Sequence, residues 1–185
     1  MRIYFEEKAL LEIIGTSGPD IYSRSPKNLE SRVQKLIQTN TPHLLCLDMH
    51  GVADLFQANE TFSHVPETEI WIISFIGPNS IRLPELRTEL LNRIKQKQIH
   101  GAILVFQRGK MATVGTKAWV IQCLNSPTTK SIIFLDDGVD HIAAVQSLGL
   151  KTLTTHYIAG KDDIKKRNQI CQILSGKKLE TFQKV

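Results

Sequence analysis

The chain predicts an α/β fold in which a mostly parallel sheet is covered on both faces by helices. Short apolar runs recur at Leu44 to Leu47, Ile70 to Phe75, Ala102 to Phe106, Ser131 to Leu135 and Lys151 to Thr154, and stretches with helical spacing separate them. That alternation is how strands buried on both faces and their crossover helices read in a sequence. With 185 residues, 42% hydrophobic and 22% charged, the chain is long enough to bury one proper core.

Residues 1–40 precede the first core strand and are expected to form an N-terminal helical extension packed on the sheet. They carry a helical run near Glu6 to Ile14, then the turn-rich Gly15 to Pro26. Leu29, Val33, Leu36 and Ile37 share one helical face ahead of the first strand. Leu86, Leu90, Leu91 and Ile94 do the same after Pro84, a residue suited to a helix's first turn. Thr116 to Leu124, Val139 to Leu148 and Asp162 to Leu174 complete the helices, the last capped by Asp162 or Asp163. The core domain is expected over residues 41–175, with 176–185 as a tail.

No segment has the uninterrupted apolar length of a membrane span, and the N-terminus lacks the basic-then-apolar pattern of a secretory signal. Cys46, Cys123 and Cys171 lie in apolar contexts without metal-like pairing, the pattern of reduced, buried thiols. These features predict a soluble, cytoplasmic protein with no membrane partner. The formal net charge is +5, and much of the excess lies at Lys161, Lys165, Lys166, Arg167, Lys177, Lys178 and Lys184. Such a stretch reads first as a solvated helix face and second as a nucleic-acid contact.

Chemistry-bearing residues fall just past successive strands. Asp48 and His50 follow the first, Ser74 ends the second, Lys117 starts a helix after the third, and Asp136 with Asp137 follow the fourth. In a parallel sheet these ends converge on one rim. Asp48 offers an oxygen nucleophile able to form an aspartyl-phosphate. Together with Asp136 and Asp137 it makes an acidic pocket suited to a hard cation such as Mg²⁺. Ser74 is expected to donate to a phosphoryl oxygen, and Lys117 to neutralise charge there. Gly51 permits a sharp turn behind the nucleophile.

The order Asp48-x-His50-Gly51-Val52, then Ser74 after Trp71-Ile72-Ile73, then Lys117, then Phe134-Leu135-Asp136-Asp137, resembles the haloacid dehalogenase-like (HAD) superfamily over about residues 43–155. A response-regulator receiver domain would want its acidic pair ahead of the phosphoacceptor strand, where this chain has none. The resemblance implies a Rossmann-like three-layer sandwich and a Mg²⁺-dependent phosphatase, a hydrolase acting on phosphate monoesters. It implies that Asp48 is the nucleophile, that its carboxylate and the His50 carbonyl bind Mg²⁺, and that Ser74 and Lys117 hold the phosphoryl group. Asp137 would touch the metal directly and Asp136 through water, or the two exchange roles. Lys110 is a rival to Lys117 for the lysine.

One position departs from the resemblance. Phosphatases of this superfamily usually carry a second Asp two residues after the nucleophile; this chain has His50. Three roles fit it: a working acid–base, a brake on hydrolysis of the aspartyl-phosphate, or the mark of a degenerate site. A catalytically impaired module binding a phosphorylated partner or nucleic acid is the alternative to the phosphatase. Asp54 reads as a turn or cap residue, His141 as a neighbour able to orient the metal shell, and Trp71 and Trp119 as core aromatics. His43, His64, His100 and His156 read as surface or capping residues. The spacing from His50 to Ser74 and from Ser74 to Lys117 leaves room for no large cap domain. The expected substrate is therefore an accessible phosphate ester on a small molecule or a macromolecule, favoured by Arg82, Arg87, Arg108 and Lys110 near the rim.

Overall fold

Near-continuous burial of the central strands lays out the sheet. The computed structural model describes residues 10–15, 18–23, 42–57, 60, 68–77, 79–106 and 115–175. Its strands are β1 (Leu10–Gly15), β2 (Gly18–Ser23), β3 (His43–Leu47), β4 (Thr68–Ile76), β5 (Gly101–Phe106), β6 (Ser131–Asp136) and β7 (Leu153–Tyr157). Its helices are α1 (Leu83–Lys95), α2 (Gly115–Leu124), α3 (Val139–Gln146) and α4 (Asp163–Leu174), with a 3₁₀ turn at Ala53–Leu55. One sheet holds the strands in the order β2-β1-β5-β4-β3-β6-β7. Strands β3 to β7 run parallel, whereas β1 lies antiparallel on β5 and β2 antiparallel on β1.

Each core strand sends alternate side chains to opposite faces. Leu45, Leu47, Ile70, Ile72, Ala102 and Leu104 pack with Leu86 and Leu90 of α1 and Ile170 and Ile173 of α4. Leu44, Cys46, Trp71, Ile73, Ile103 and Phe134 pack with α2 and with Ile142 and Val145 of α3. The result is a three-layer α/β arrangement compatible with a Rossmann-like fold. Trp71 and Trp119 are core aromatics, 5% and 6% exposed. Asp162 caps α4 by accepting from the Ile164 and Lys165 N–H groups, a contact that satisfies two otherwise unmatched donors.

Several expectations need correction. The helical run expected up to Ile14 is a strand over Leu10–Gly15, because Leu11 and Ile13 bury into one core face and Ile14 into the other. Glu12, fully buried between them, is neutralised by a two-pronged bond from Arg87 at 2.8 and 2.6 Å. Arg87 is thereby committed to the fold rather than to a substrate. The last strand begins at Leu153, not Lys151, and runs on to Tyr157. Cys46 and Cys123 are buried as expected, but Cys171 is exposed on α4. The expected helix over Leu29 to Ile37, His64, Arg108, Lys110 and the tail 176–185 lie outside the described residues. No described helix is long and apolar enough to cross a membrane.

Candidate active site

Strand order explains why the acidic residues meet. The chain winds outward from β3 through β4 to β5, then returns to place β6 on the other side of β3. In open parallel sheets the crevice at such a reversal is where ligands bind. Leu47 pairs with Leu135 in register, so Asp48 and Asp136 follow at the same level on neighbouring strands. The Asp48 N–H donates to the Leu135 carbonyl at 2.9 Å, extending the ladder to the rim.

Side-chain parity then decides which way they face. Cys46 and Phe134 point to the α2 side of the sheet, and two residues on, Asp48 and Asp136 share that side. Lys117, the third residue of α2, reaches them from above. Its Nζ donates to Asp48 Oδ1 at 2.8 Å and to Asp136 Oδ2 at 2.6 Å, and its side chain is 1% exposed. Phe75 lies beneath the ammonium, 5.4 Å from ring centre to Nζ, a cation–π contact.

Asp136 is the most heavily satisfied carboxylate. Oδ1 accepts from the Gly138 N–H at 2.7 Å, and His141 Nδ1 lies 3.1 Å from Oδ1 and 3.2 Å from Oδ2. Burial pushes this carboxyl up, but the His141 hydrogen bond and the charge of Lys117 outweigh it and hold it below its ordinary value. Asp48 goes the other way. Its burial dominates, the Asp136 charge adds to it, and Lys117 only partly counters, so the Asp48 carboxyl is pushed up.

Asp137 completes the cluster. One carboxylate oxygen from each of Asp48, Asp136 and Asp137 lies within 4.8 Å of the others. Lys166 of α4 holds Asp137 Oδ2 at 2.9 Å, while Oδ1 has no hydrogen-bond partner among the described residues. Gly51 makes room for this pair. Its φ is +71°, and a Cβ there would sit 2.1 Å from Asp137 Oδ2, so both the turn and the close approach exclude a side chain.

His50 and Ser74 form a second, looser grouping. Ser74 belongs to the opposite sheet face from Asp48, since Phe75, its neighbour, is the residue that packs on the α2 side. Its fully buried hydroxyl lies 3.5 Å from His50 Nδ1 and 3.5 Å from the Phe75 carbonyl. His50 itself is exposed. Thus Asp48, Lys117, Asp136 and Asp137 come together, and Ser74 is brought to His50 rather than to the carboxylates. His141 joins the cluster through Asp136 and packs its ring on Phe75, centroids 5.2 Å apart. Asp54 lies in the 3₁₀ turn, where burial pushes its carboxyl above the ordinary value.

Lys166 is the residue that the sequence reading left among surface charges. It shares the inward face of α4 with Ile170 and Ile173, at the spacing of a helix's apolar stripe. A lysine on such a stripe signals an acidic partner, here Asp137. In comparisons with known proteins, no family model, no curated protein and no solved structure matches this chain.

Proposed function

We propose that this chain is a Mg²⁺-dependent phosphohydrolase of the HAD type, working through an aspartyl-phosphate on Asp48 and acting on an accessible phosphate monoester. The observation that carries the reading is Lys117 bridging Asp48 and Asp136 at 2.8 and 2.6 Å, with Asp137 beside them at the sheet's reversal point. The parallel order β5-β4-β3-β6-β7 supports a HAD-like core without a large cap.

The donor set fits the cation. Mg²⁺ takes hard oxygen ligands, and two oxygens on opposite sides of the ion lie about 4.2 Å apart, so a spread of up to 4.8 Å is within side-chain adjustment. Asp48 and Asp137 would hold it, with the His50 carbonyl as a further ligand. Asp136, whose two oxygens already accept from protein donors, would act through water. When bound, the ion supplies charge neutralisation around the phosphoryl oxygens.

The protein's own groups account for the rest. Lys117 partly offsets the burial and the Asp136 charge that raise the proton affinity of Asp48. The free carboxylate oxygen attacks phosphorus, the bond to the ester oxygen breaks, and the departing oxygen takes its electron pair and a proton from His50. A water then attacks the aspartyl-phosphate, His50 takes back a proton, and phosphate leaves with the Asp48 carboxylate restored. Ser74, buried behind His50, is a positioning residue for the imidazole. Incubating the purified protein with Mg²⁺ and a generic aryl phosphate tests the reading: phosphate release that Asp48→Asn abolishes is the expected result. Absence of release across a broad phosphate panel would overturn it in favour of an impaired binding module.

A further inference from the structure

Of the two lysines in α4, Lys165 is exposed and Lys166 is buried, 7% exposed. A buried ammonium is costly unless it is paired, and the partner of Lys166 is a single oxygen, Asp137 Oδ2, at 2.9 Å. The place where the pair sits is fixed by Gly51, since a Cβ there would lie 2.1 Å from that oxygen and 3.0 Å from the ammonium. The Asp137 carboxylate is therefore gripped at one of its two oxygens.

We propose that Lys166 sets the cation preference of the site by reserving Oδ2 of Asp137, so that this carboxylate offers a metal one oxygen and not two. The proposal rests on the metal site described above. Mg²⁺ accepts single oxygens in a near-octahedral shell, whereas Ca²⁺ takes six to eight ligands and readily uses both oxygens of one carboxylate. A carboxylate pinned by an ammonium suits the first ion and penalises the second. The charge of Lys166 also weakens binding of any divalent cation, but it does so for both ions alike. The ratio of the two affinities therefore isolates the effect of holding Oδ2.

Calorimetric titration of the full-length protein with MgCl₂ and with CaCl₂ tests this in wild type, Lys166→Met and Lys166→Gln. Lys166→Met is expected to move the ratio of dissociation constants toward Ca²⁺ by about tenfold, the scale of changes at groups that orient metal ligands. Lys166→Gln, which still donates to Oδ2, is expected to keep the wild-type ratio. An unchanged ratio in Lys166→Met overturns the proposal while leaving the metal site intact. A wild-type protein that binds neither ion overturns the metal site itself, and this inference with it. One measurement needs no variant to fold: nitrogen-15 NMR of lysine ammonium groups in the wild-type protein. A slowly exchanging ammonium signal, assigned to Lys166 and told apart from that of the enclosed Lys117 through its side-chain carbons, is expected to persist with Mg²⁺ bound, and its loss on Mg²⁺ binding overturns the proposal.

Discussion

Lys117 and Asp136 form a fully enclosed ion pair, 2.6 Å from Nζ to Oδ2, with side chains 1% and 0% exposed. Breaking such a pair from one side strands the other charge. Lys117→Met is therefore expected to cost about 3–5 kcal/mol of stability, read as a lower urea midpoint. Adding Asp48→Asn to that variant should recover part of the loss, because the two carboxylates then no longer oppose each other across an empty space.

Asp48→Asn alone is expected to stabilise the protein while abolishing phosphate release. Burial and the Asp136 charge push the Asp48 carboxyl above its ordinary value, so folding favours its protonated form. Stability from this group is fully present below the ordinary carboxylate range and is lost as pH rises through the raised value. The variant's melting temperature in EDTA should exceed that of wild type by the equivalent of about 1 kcal/mol near neutral pH. That advantage should vanish in acid; a variant no more stable than wild type at neutral pH would contradict the assignment.

His50 is exposed and touches only Ser74 among the described hydrogen bonds, at 3.5 Å, so changing it should leave the fold intact. His50→Ala is expected to lower phosphate release about 10²–10⁴-fold, the usual worth of a general acid–base. His50→Asp should lower turnover near neutral pH, as expected where the imidazole is the acid–base group. An unchanged rate in both variants would remove His50 from the chemistry.

His100 ties a loop to the sheet, its Nδ1 accepting the Ile70 N–H at 2.9 Å. An imidazolium cannot accept there, and desolvation lowers the pKa of this ring below its ordinary 6.5. The contribution is present above the unfolded value and is lost as pH falls through the lowered one. His156, within β7, is shifted the same way by desolvation. Thermal stability should therefore fall below about pH 6.5, and His100→Asn should make that fall shallower in melting curves taken across the range.

The sheet's centre was legible because a strand buried on both faces has to be a short apolar run, and a carboxylate ending such a run stands out. That logic located Asp48, Asp136 and the Lys117 helix. It failed where one pattern serves two structures. Leu10, Leu11, Ile13 and Ile14 fit one face of a helix as well as both faces of a strand, and what selects the strand is pairing with β5 and the distant Arg87. Ser74 was placed by order along the chain, whereas the side it faces depends on counting alternation back from Trp71. Lys166 was hidden because its charge reads as surface until its place on the apolar stripe of α4 is considered.

Strand β1 is synthesised before β5, yet it hydrogen-bonds to that strand, which lies roughly ninety residues downstream. Until Gly101–Phe106 has left the ribosome, Leu11, Ile13 and Ile14 have no surface to dock on, and closing so long a loop is entropically unfavourable. The sheet must then grow outward from its parallel centre, with β1 joining after strands that are made later. A nascent chain stalled short of β5 would carry an unshielded apolar segment in β1 and would be a natural client for a chaperone.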